Sequence, residues 1–309
     1  GRREPISGLP NRQQFQADLS VLGRQDGGNQ FTGVLLDVFD LQSANDAGQA
    51  LGLKPVESLL RQASLRVQEV LGEDVQVYHV ASTRFAFVVR NQTHAQVEAL
   101  MKRLHERMRR PLMVGSIPMS PQFHAGLCDF RADPDEAGDL VRKCMVALNH
   151  ALQTDACLCW YSADRDAHLR RRYRLASDAA RGLAQEQFSL VYQPRYDLRD
   201  GQPVSAEALL RWTHPMLGPI TPGEFIPVLE CTALMPALSQ WVIEHAFAQA
   251  ARWQLLLPGF TLSINLSPRD FDNANLWTGM AERLRTNGLV PSQIEVEITE
   301  GQWLHSHPA

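Results

Sequence analysis

From residue 188 onward, apolar and polar side chains alternate within short segments, and these segments alternate with helical stretches. The strand-like segments are FSLVYQPRYDL, PVSAEALLRW, FTLSINLS and QIEVEITE, and the helical stretches cover about 236 to 255 and 276 to 287. An order of strand, strand, helix, strand, helix, strand dictates α/β winding, as a barrel or an open sheet. Within the strands, Leu262, Ile264 and Leu266 face one way while Ser263, Asn265 and Ser267 face the other. The same split separates Ile294, Val296 and Ile298 from Glu295, Glu297 and Thr299. Glu207 and Arg211 share a face, as do Gln193 and Arg195. If helices cover the apolar faces, the polar faces point inward, where a barrel normally packs aliphatic layers. Carboxylates there are costly unless a metal or cation neutralises them, so a functional mouth is favoured over a plain core.

Glu207, Asn265 and Glu297 each close a short apolar strand. Hard oxygen ligands at equivalent ends of successive strands suit a Mg²⁺-type phosphodiester site. Any one of them alone reads as an ordinary surface or salt-bridged group.

The preceding residues have a different rhythm. FTGVLLDVF (31–39) suits a buried strand, and Leu53, Val56, Leu60, Ala63, Val67 and Val70 then mark one face of a helix. VQVYHVAS and RFAFVVRN are so close that a tight hairpin must join them. A helix in HAQVEALMKRLHERMRR, strands in PLMVGSI and QFHAGLCDF, a helix in DEAGDLVRKCMVALNHAL and a strand in ACLCWYS follow. One α+β sandwich domain over 1–162 accounts for them, with Asp133 and Asp135 around Pro134 as turn and cap. Residues 163–187, polar, Arg-rich and without Pro, read as a linker helix, and 188–309 as a second domain.

A length of 309 residues accommodates two domains. The formal charge of −4 gives no general field for nucleic acid or membrane phosphates, so a nucleotide needs a local site. No apolar run approaches the ~18 residues of a bilayer span, which excludes direct membrane insertion by this segment. Five cysteines without zinc-type spacing read as reduced, mostly buried thiols and point to the cytoplasm. Cys157 and Cys159 share a strand face, read as thiol packing in the absence of a partner at ligand spacing. The opening GRREPISGLPN has no initiator Met and enters a motif at once, so the chain is expected to be a piece of a larger protein, whose upstream part can tether it to the inner membrane.

YQP at 192–194, EALLRW at 207–212, THP at 213–215, P-x-x-F-I-P at 222–227, NLS at 265–267 and EITE at 297–300 together resemble the cyclic-di-GMP phosphodiesterases named for their EAL motif, from about 180 to the end. The resemblance implies the first half of an α/β, TIM-like (βα)₈ barrel with an antiparallel first strand, opening the cyclic dinucleotide to linear pGpG with Mg²⁺ or Mn²⁺. It implies Glu207, Asn265 and Glu297 as metal ligands, and Gln193, Arg211 and Glu207 as ligand-binding residues. His214 is read as a loop anchor. Such domains carry, further on, an Asp-Asp pair, a general-base lysine and another glutamate, none of which precedes Ala309. The piece as given is therefore expected to hydrolyse little or nothing, and its parent to be the active phosphodiesterase.

SGLPNRQQF at 7–15, LLDVFDLQSAND and the hairpin VYHVASTRFAFVV resemble the GGDEF diguanylate cyclases, implying a cyclase-like α+β domain with a ferredoxin-like palm. The signature position reads Ala81-Ser82-Thr83-Arg84-Phe85. Side chains at 81 and 82 hinder close approach to a triphosphate, Thr83 removes a metal carboxylate and Arg84 reverses a charge. Phe39 replaces the second acid after Asp37, and the inhibitory R-x-x-D site falls on Gly72 and Val75. Cyclase activity is not expected. Asp37 matches a metal position and Asn45 a guanine-contacting one, which leaves residual GTP binding, or a dimerising, signal-coupling pseudo-enzyme with Asn45 as a helix cap.

The expectation is a bacterial cyclic-di-GMP signalling protein, homodimeric, with a degenerate GGDEF domain before an EAL phosphodiesterase. A non-catalytic cyclic-di-GMP receptor, or a scaffold of two pseudo-enzyme domains, is the alternative.

Overall fold

The computed structural model describes residues 1–24, 29–40, 46, 49, 52–114, 117–131, 133–267, 270 and 273–298. Asn45 lies outside them. The chain divides into two α/β units, Gly1–Ala167 and His168–Ala309.

In the first unit the elements are α1 (Arg12–Leu22), β1 (Gln30–Asp37), α2 (Leu53–Leu71), β2 (Tyr78–Ala81), β3 (Arg84–Arg90), α3 (His94–Met108), β4 (Leu112–Val114), β5 (Ile117–Met119), β6 (His124–Arg131), α4 (Pro134–Thr154) and β7 (Leu158–Trp160). A sheet of order β2-β3-β1-β6-β7 forms the centre, with β1 antiparallel to both neighbours and β6 parallel to β7. All but the first residue of β1 are buried, because both its faces are covered. Val34 and Leu36 pack with Leu60, Ala63 and Val67 of α2 and Val97, Met101 and Leu104 of α3. Phe31 and Leu35 pack on the other face with Phe15 and Leu19 of α1 and Leu140, Cys144 and Leu148 of α4. Period two in the strand and period 3.6 in the helices thus meet on each face.

Helix starts follow local chemistry. Asn11 accepts from the amides of Gln13 and Gln14, Thr93 and Gln96 form a reciprocal box, and Asp133 accepts from Asp135 and Glu136 ahead of Pro134. Ala81 and Arg84 are register partners, so two residues close the β2–β3 hairpin. PLMVGSI departs from the expected single strand: Leu112–Val114 pairs with Ile117–Met119 in a two-stranded ribbon separate from the main sheet. The thiols also depart from expectation: Cys128 and Cys144 are buried, whereas Cys157 and Cys231 are exposed. Cys157 lies before β7 at the sheet edge, its Sγ 3.3 Å from Nδ1 of His105, a partner the linear spacing concealed.

The unit boundary falls within α5 (Ala163–Ala184). The second unit continues with β8 (Phe188–Tyr196), β9 (Pro203–His214), β10 (Gly218–Ile220), α6 (Pro222–Leu229), α7 (Met235–Gln254), β11 (Thr261–Asn265), α8 (Ala274–Thr286) and β12 (Ile294–Glu297). β8 is antiparallel to β9, and β9, β11 and β12 run parallel. Ala206, Ala208, Leu262 and Ile264 pack with Ile243, Ala246 and Phe247 of α7 and Leu276 and Met280 of α8. The apolar parity of β9 and β11 therefore faces the helices, and their odd-numbered residues face the opposite side. Phe188, Trp212 and Phe225 form a second cluster beside it, with Phe188 stacked on Trp212 at 5.0 Å. His214 accepts the amides of Met216 and Leu217 at Nδ1 while Nε2 meets Asp178 at 3.1 Å, so it anchors the turn to α5. Among the described residues no helix is long and apolar enough to cross a membrane.

Candidate metal and phosphodiester site

Register brings the predicted donors together. Glu207 of β9 stands beside Gln193 of β8 and Ser263 of β11, and Asn265 of β11 stands beside Glu297 of β12. Neighbouring strands lie about 4.8 Å apart, so side chains of one parity form a continuous row. Asn265 Nδ2 donates to Glu207 Oε1 at 2.8 Å. The cluster is open: the side chains of Glu207 and Glu297 are 22% and 31% exposed.

Arg195 completes this row. Its Nη2 donates to Glu297 Oε1 at 2.6 Å and to Glu207 Oε2 at 3.4 Å, and its Nη1 lies 3.6 Å from Glu295 Oε2. Arg195, and secondarily a hydrogen bond from Ser263, hold the Glu297 carboxyl below its ordinary range against the opposing effect of burial. The carboxylates in turn raise the pKa of Arg195. The sequence put Arg195 on the face of Gln193 but assigned it no role; its parity was the signal.

Arg211 stands apart from this cluster. It shares the parity of Glu207 but is four residues, roughly 13 Å, further along the strand. Its Nη1 donates to the carbonyl of Leu210 at 2.9 Å. A second residue that the sequence did not single out, Asp270, is buried behind β11 and accepts from Ser239 Oγ at 2.8 Å and the Ser267 amide at 3.0 Å. It fixes the backbone just beyond Asn265.

In the first unit Asp37 is buried at the end of β1. Thr83 Oγ1 donates to its Oδ1 at 2.8 Å and Arg84 Nε to its Oδ2 at 3.0 Å. The residues standing at the signature positions thus occupy both oxygens of the one acid expected to hold a metal there. His79 braces the same turn, with Nδ1 2.9 Å from Ser7 Oγ and Nε2 3.2 Å from the Ser82 carbonyl.

Comparison with known proteins agrees with this division. Residues 3–156 match the model of the diguanylate cyclase GGDEF domain and residues 176–309 that of the EAL domain. A cyclic di-GMP phosphodiesterase of Pseudomonas aeruginosa is 32% identical over 95% of this chain and 50% of its own length. The bifunctional diguanylate cyclase/cyclic di-GMP phosphodiesterase MucR of the same organism is 26% identical over 96% of this chain and 43% of its own length. The chain spans about half or less of the length of these curated relatives. The solved S helix-GGDEF-EAL structure of Vibrio cholerae LapD, bound to c-di-GMP, covers 99% of this chain and 71% of its own, with a TM-score of 0.52 and 15% identity, a likeness of fold. Two domain matches in tandem, together spanning nearly all residues, place the chain among the proteins that carry a GGDEF domain followed by an EAL domain.

Proposed function

We propose that the second unit binds cyclic-di-GMP and that the parent protein hydrolyses it to pGpG with Mg²⁺ or Mn²⁺, whereas the first unit regulates and is not a cyclase. The observation that carries this reading is the register of Glu207, Asn265 and Glu297, which puts three oxygen-bearing side chains of adjacent strands into one hydrogen-bonded cluster. In this reading 1–162 is the degenerate GGDEF domain, 163–187 the linker helix, and 188–309 the first half of a (βα)₈ barrel. The antiparallel β8 followed by parallel β9, β11 and β12 supports the barrel.

The donor set fits a hard divalent cation: two carboxylates and an amide on one face, already gathered around a positive group, Arg195. The chemistry supplied by such an ion is polarisation of a phosphoryl oxygen and acidification of a water. Glu207 and Glu297 supply the negative charge that holds it, and Asn265 a neutral third donor. Gln193, beside Glu207, offers an amide to the ligand, and Arg211 a planar fork matched to a phosphate oxygen. Asp37, engaged by Thr83 and Arg84, supports loss of cyclase chemistry in the first unit. Homodimerisation and a cytoplasmic location belong to the same proposal, and residual GTP binding involving Asp37 and Asn45 is the alternative to a first unit that only dimerises and couples signals.

One observation favours a second reading. Glu207 and Glu297 are both ion-paired with Arg195, so the acids have a counter-charge supplied by the chain itself, which suits a non-catalytic cyclic-di-GMP receptor or a scaffold. Incubating the full-length parent with cyclic-di-GMP and Mn²⁺, and separating products by chromatography, decides between them. Turnover that Glu207→Gln and Asn265→Ala abolish supports the hydrolase. Saturable binding without turnover selects the receptor, and neither binding nor turnover leaves only the scaffold.

A further inference from the structure

We propose that Arg195 is an internal counter-cation of this site, holding Glu207 and Glu297 in place until a divalent ion displaces it. The inference rests on the metal-site reading above and adds a residue that competes for the same oxygens. Arg195 reaches across from β8 to acids on β9 and β12, two of which lie within hydrogen-bond range of a single nitrogen, Nη2. Asn265 brings a second, neutral N–H donor to Glu207, so the chain itself supplies hydrogen-bond donors to both carboxylates.

The contact is built for exchange. Arg195 is 43% exposed, and its partners Glu207, Glu297 and Glu295 are 22%, 31% and 55% exposed. Exposed ion pairs are weak because water screens them, so the guanidinium can leave on its long flexible stem at small cost. Three carboxylates facing one guanidinium also leave the cluster formally negative, so a doubly charged ion is still attracted while Arg195 is in place. Without Arg195, Glu207 and Glu297 would repel one another in the metal-free protein. With it, they stay in register but their affinity for the ion is lowered. Arg195 is thus a positioning residue that sets the metal concentration at which the site fills.

The test is calorimetric titration of Mn²⁺ into the full-length parent and its Arg195→Met and Glu207→Gln variants, with thermal melting of each with and without Mn²⁺. Arg195→Met is expected to bind Mn²⁺ about threefold to tenfold tighter, as the loss of one or two competing exposed ion pairs allows. It is also expected to melt lower than wild type without metal and to gain more on adding Mn²⁺. If wild type binds Mn²⁺, Glu207→Gln does not, and Arg195→Met binds equally or more weakly than wild type, the metal site stands and the role of Arg195 is overturned. If neither wild type nor Arg195→Met takes up Mn²⁺, the metal-site reading fails and this inference with it.

Discussion

Arg84 and Asp37 are register partners on adjacent strands, and the guanidinium Nε donates to the carboxylate at 3.0 Å. The second unit repeats the chemistry with Arg195 and Glu297 at 2.6 Å. Burial separates the two pairs. The Asp37 side chain is 9% exposed and that of Arg84 27%, with Thr83 on the remaining carboxylate oxygen. In the second unit water reaches both partners. A buried carboxylate robbed of its cation cannot be resolvated without opening the fold, whereas an exposed one simply rehydrates. The first pair is therefore structural and the second exchangeable.

Removing the cation that serves the buried acid should reveal that difference. Arg84→Ala is expected to destabilise the first unit by about 2 kcal/mol, since an unpaired buried carboxylate remains. Asp37→Asn combined with Arg84→Ala should recover much of the loss, because the charge needing a partner is gone. Urea denaturation of the three variants measures the coupling. Additive losses would show that Arg84 does not serve Asp37.

At Gly126 the backbone of α4 lies close against β6. A Cβ built there would stand 2.1 Å from the carbonyl oxygen of Cys144 and 2.4 Å from the amide nitrogen of Leu148. Both are helix backbone atoms, so no rotamer change relieves the contact. Gly126→Ala is expected to cost about 3 kcal/mol or more, at the upper end of overpacking effects. A melting temperature within about 2 °C of wild type would contradict that close approach.

Much of this architecture was legible in the sequence because it depends on period alone. Alternation in SINLS and EVEIT put Asn265 and Glu297 opposite the helices, and β11–β12 pairing then made them neighbours. The hairpin over Ser82 and Thr83 followed from the lack of room for a longer turn. What escaped depended on long-range contact. No local pattern tells that Arg195 reaches acids 12 and 102 positions away, that Thr83 and Arg84 both close on Asp37, or that His105 meets Cys157. The exposed thiols were missed for a related reason: composition speaks of cysteine in general, while exposure depends on where a strand sits in its sheet.

Asp270 predicts a pH dependence of definite sign. Burial raises its carboxyl above the ordinary value, an effect only partly offset by the hydrogen bonds from Ser239 and Ser267. A raised folded value means that the native state binds the proton more tightly. Its contribution to stability is thus fully present below the unfolded value, about 3.9, and is lost as pH rises through the folded value. Glu297, depressed by Arg195, has the opposite slope at lower pH, where its contribution is lost as pH falls through its folded value. Asp270→Asn should therefore flatten the fall in stability on the alkaline side of about pH 4. At neutral pH its stability should equal or exceed wild type by up to about 1 kcal/mol. Denaturation midpoints compared between wild type and variant across that range test this, and parallel curves would overturn it.

Arg211 should respond to ligand rather than to folding. In the structure its guanidinium reaches the carbonyl of Leu210, on the polar face of β9 beyond Glu207. Its proposed role is to pair with a phosphate oxygen of cyclic-di-GMP, a charge-assisted contact that a planar fork makes well. Arg211→Ala in the full-length parent is expected to weaken cyclic-di-GMP binding about tenfold to hundredfold, the equivalent of one hydrogen bond to a charged group. Its melting temperature should stay within about 2 °C of wild type, as for a surface polar change. Arg211→Lys keeps the charge but loses the fork, so it should fall between the two. Equilibrium titration without divalent ions avoids turnover during the measurement. Unchanged affinity in Arg211→Ala would remove Arg211 from the ligand site, and an equal loss in Arg211→Lys would make the fork, not the charge, the decisive feature.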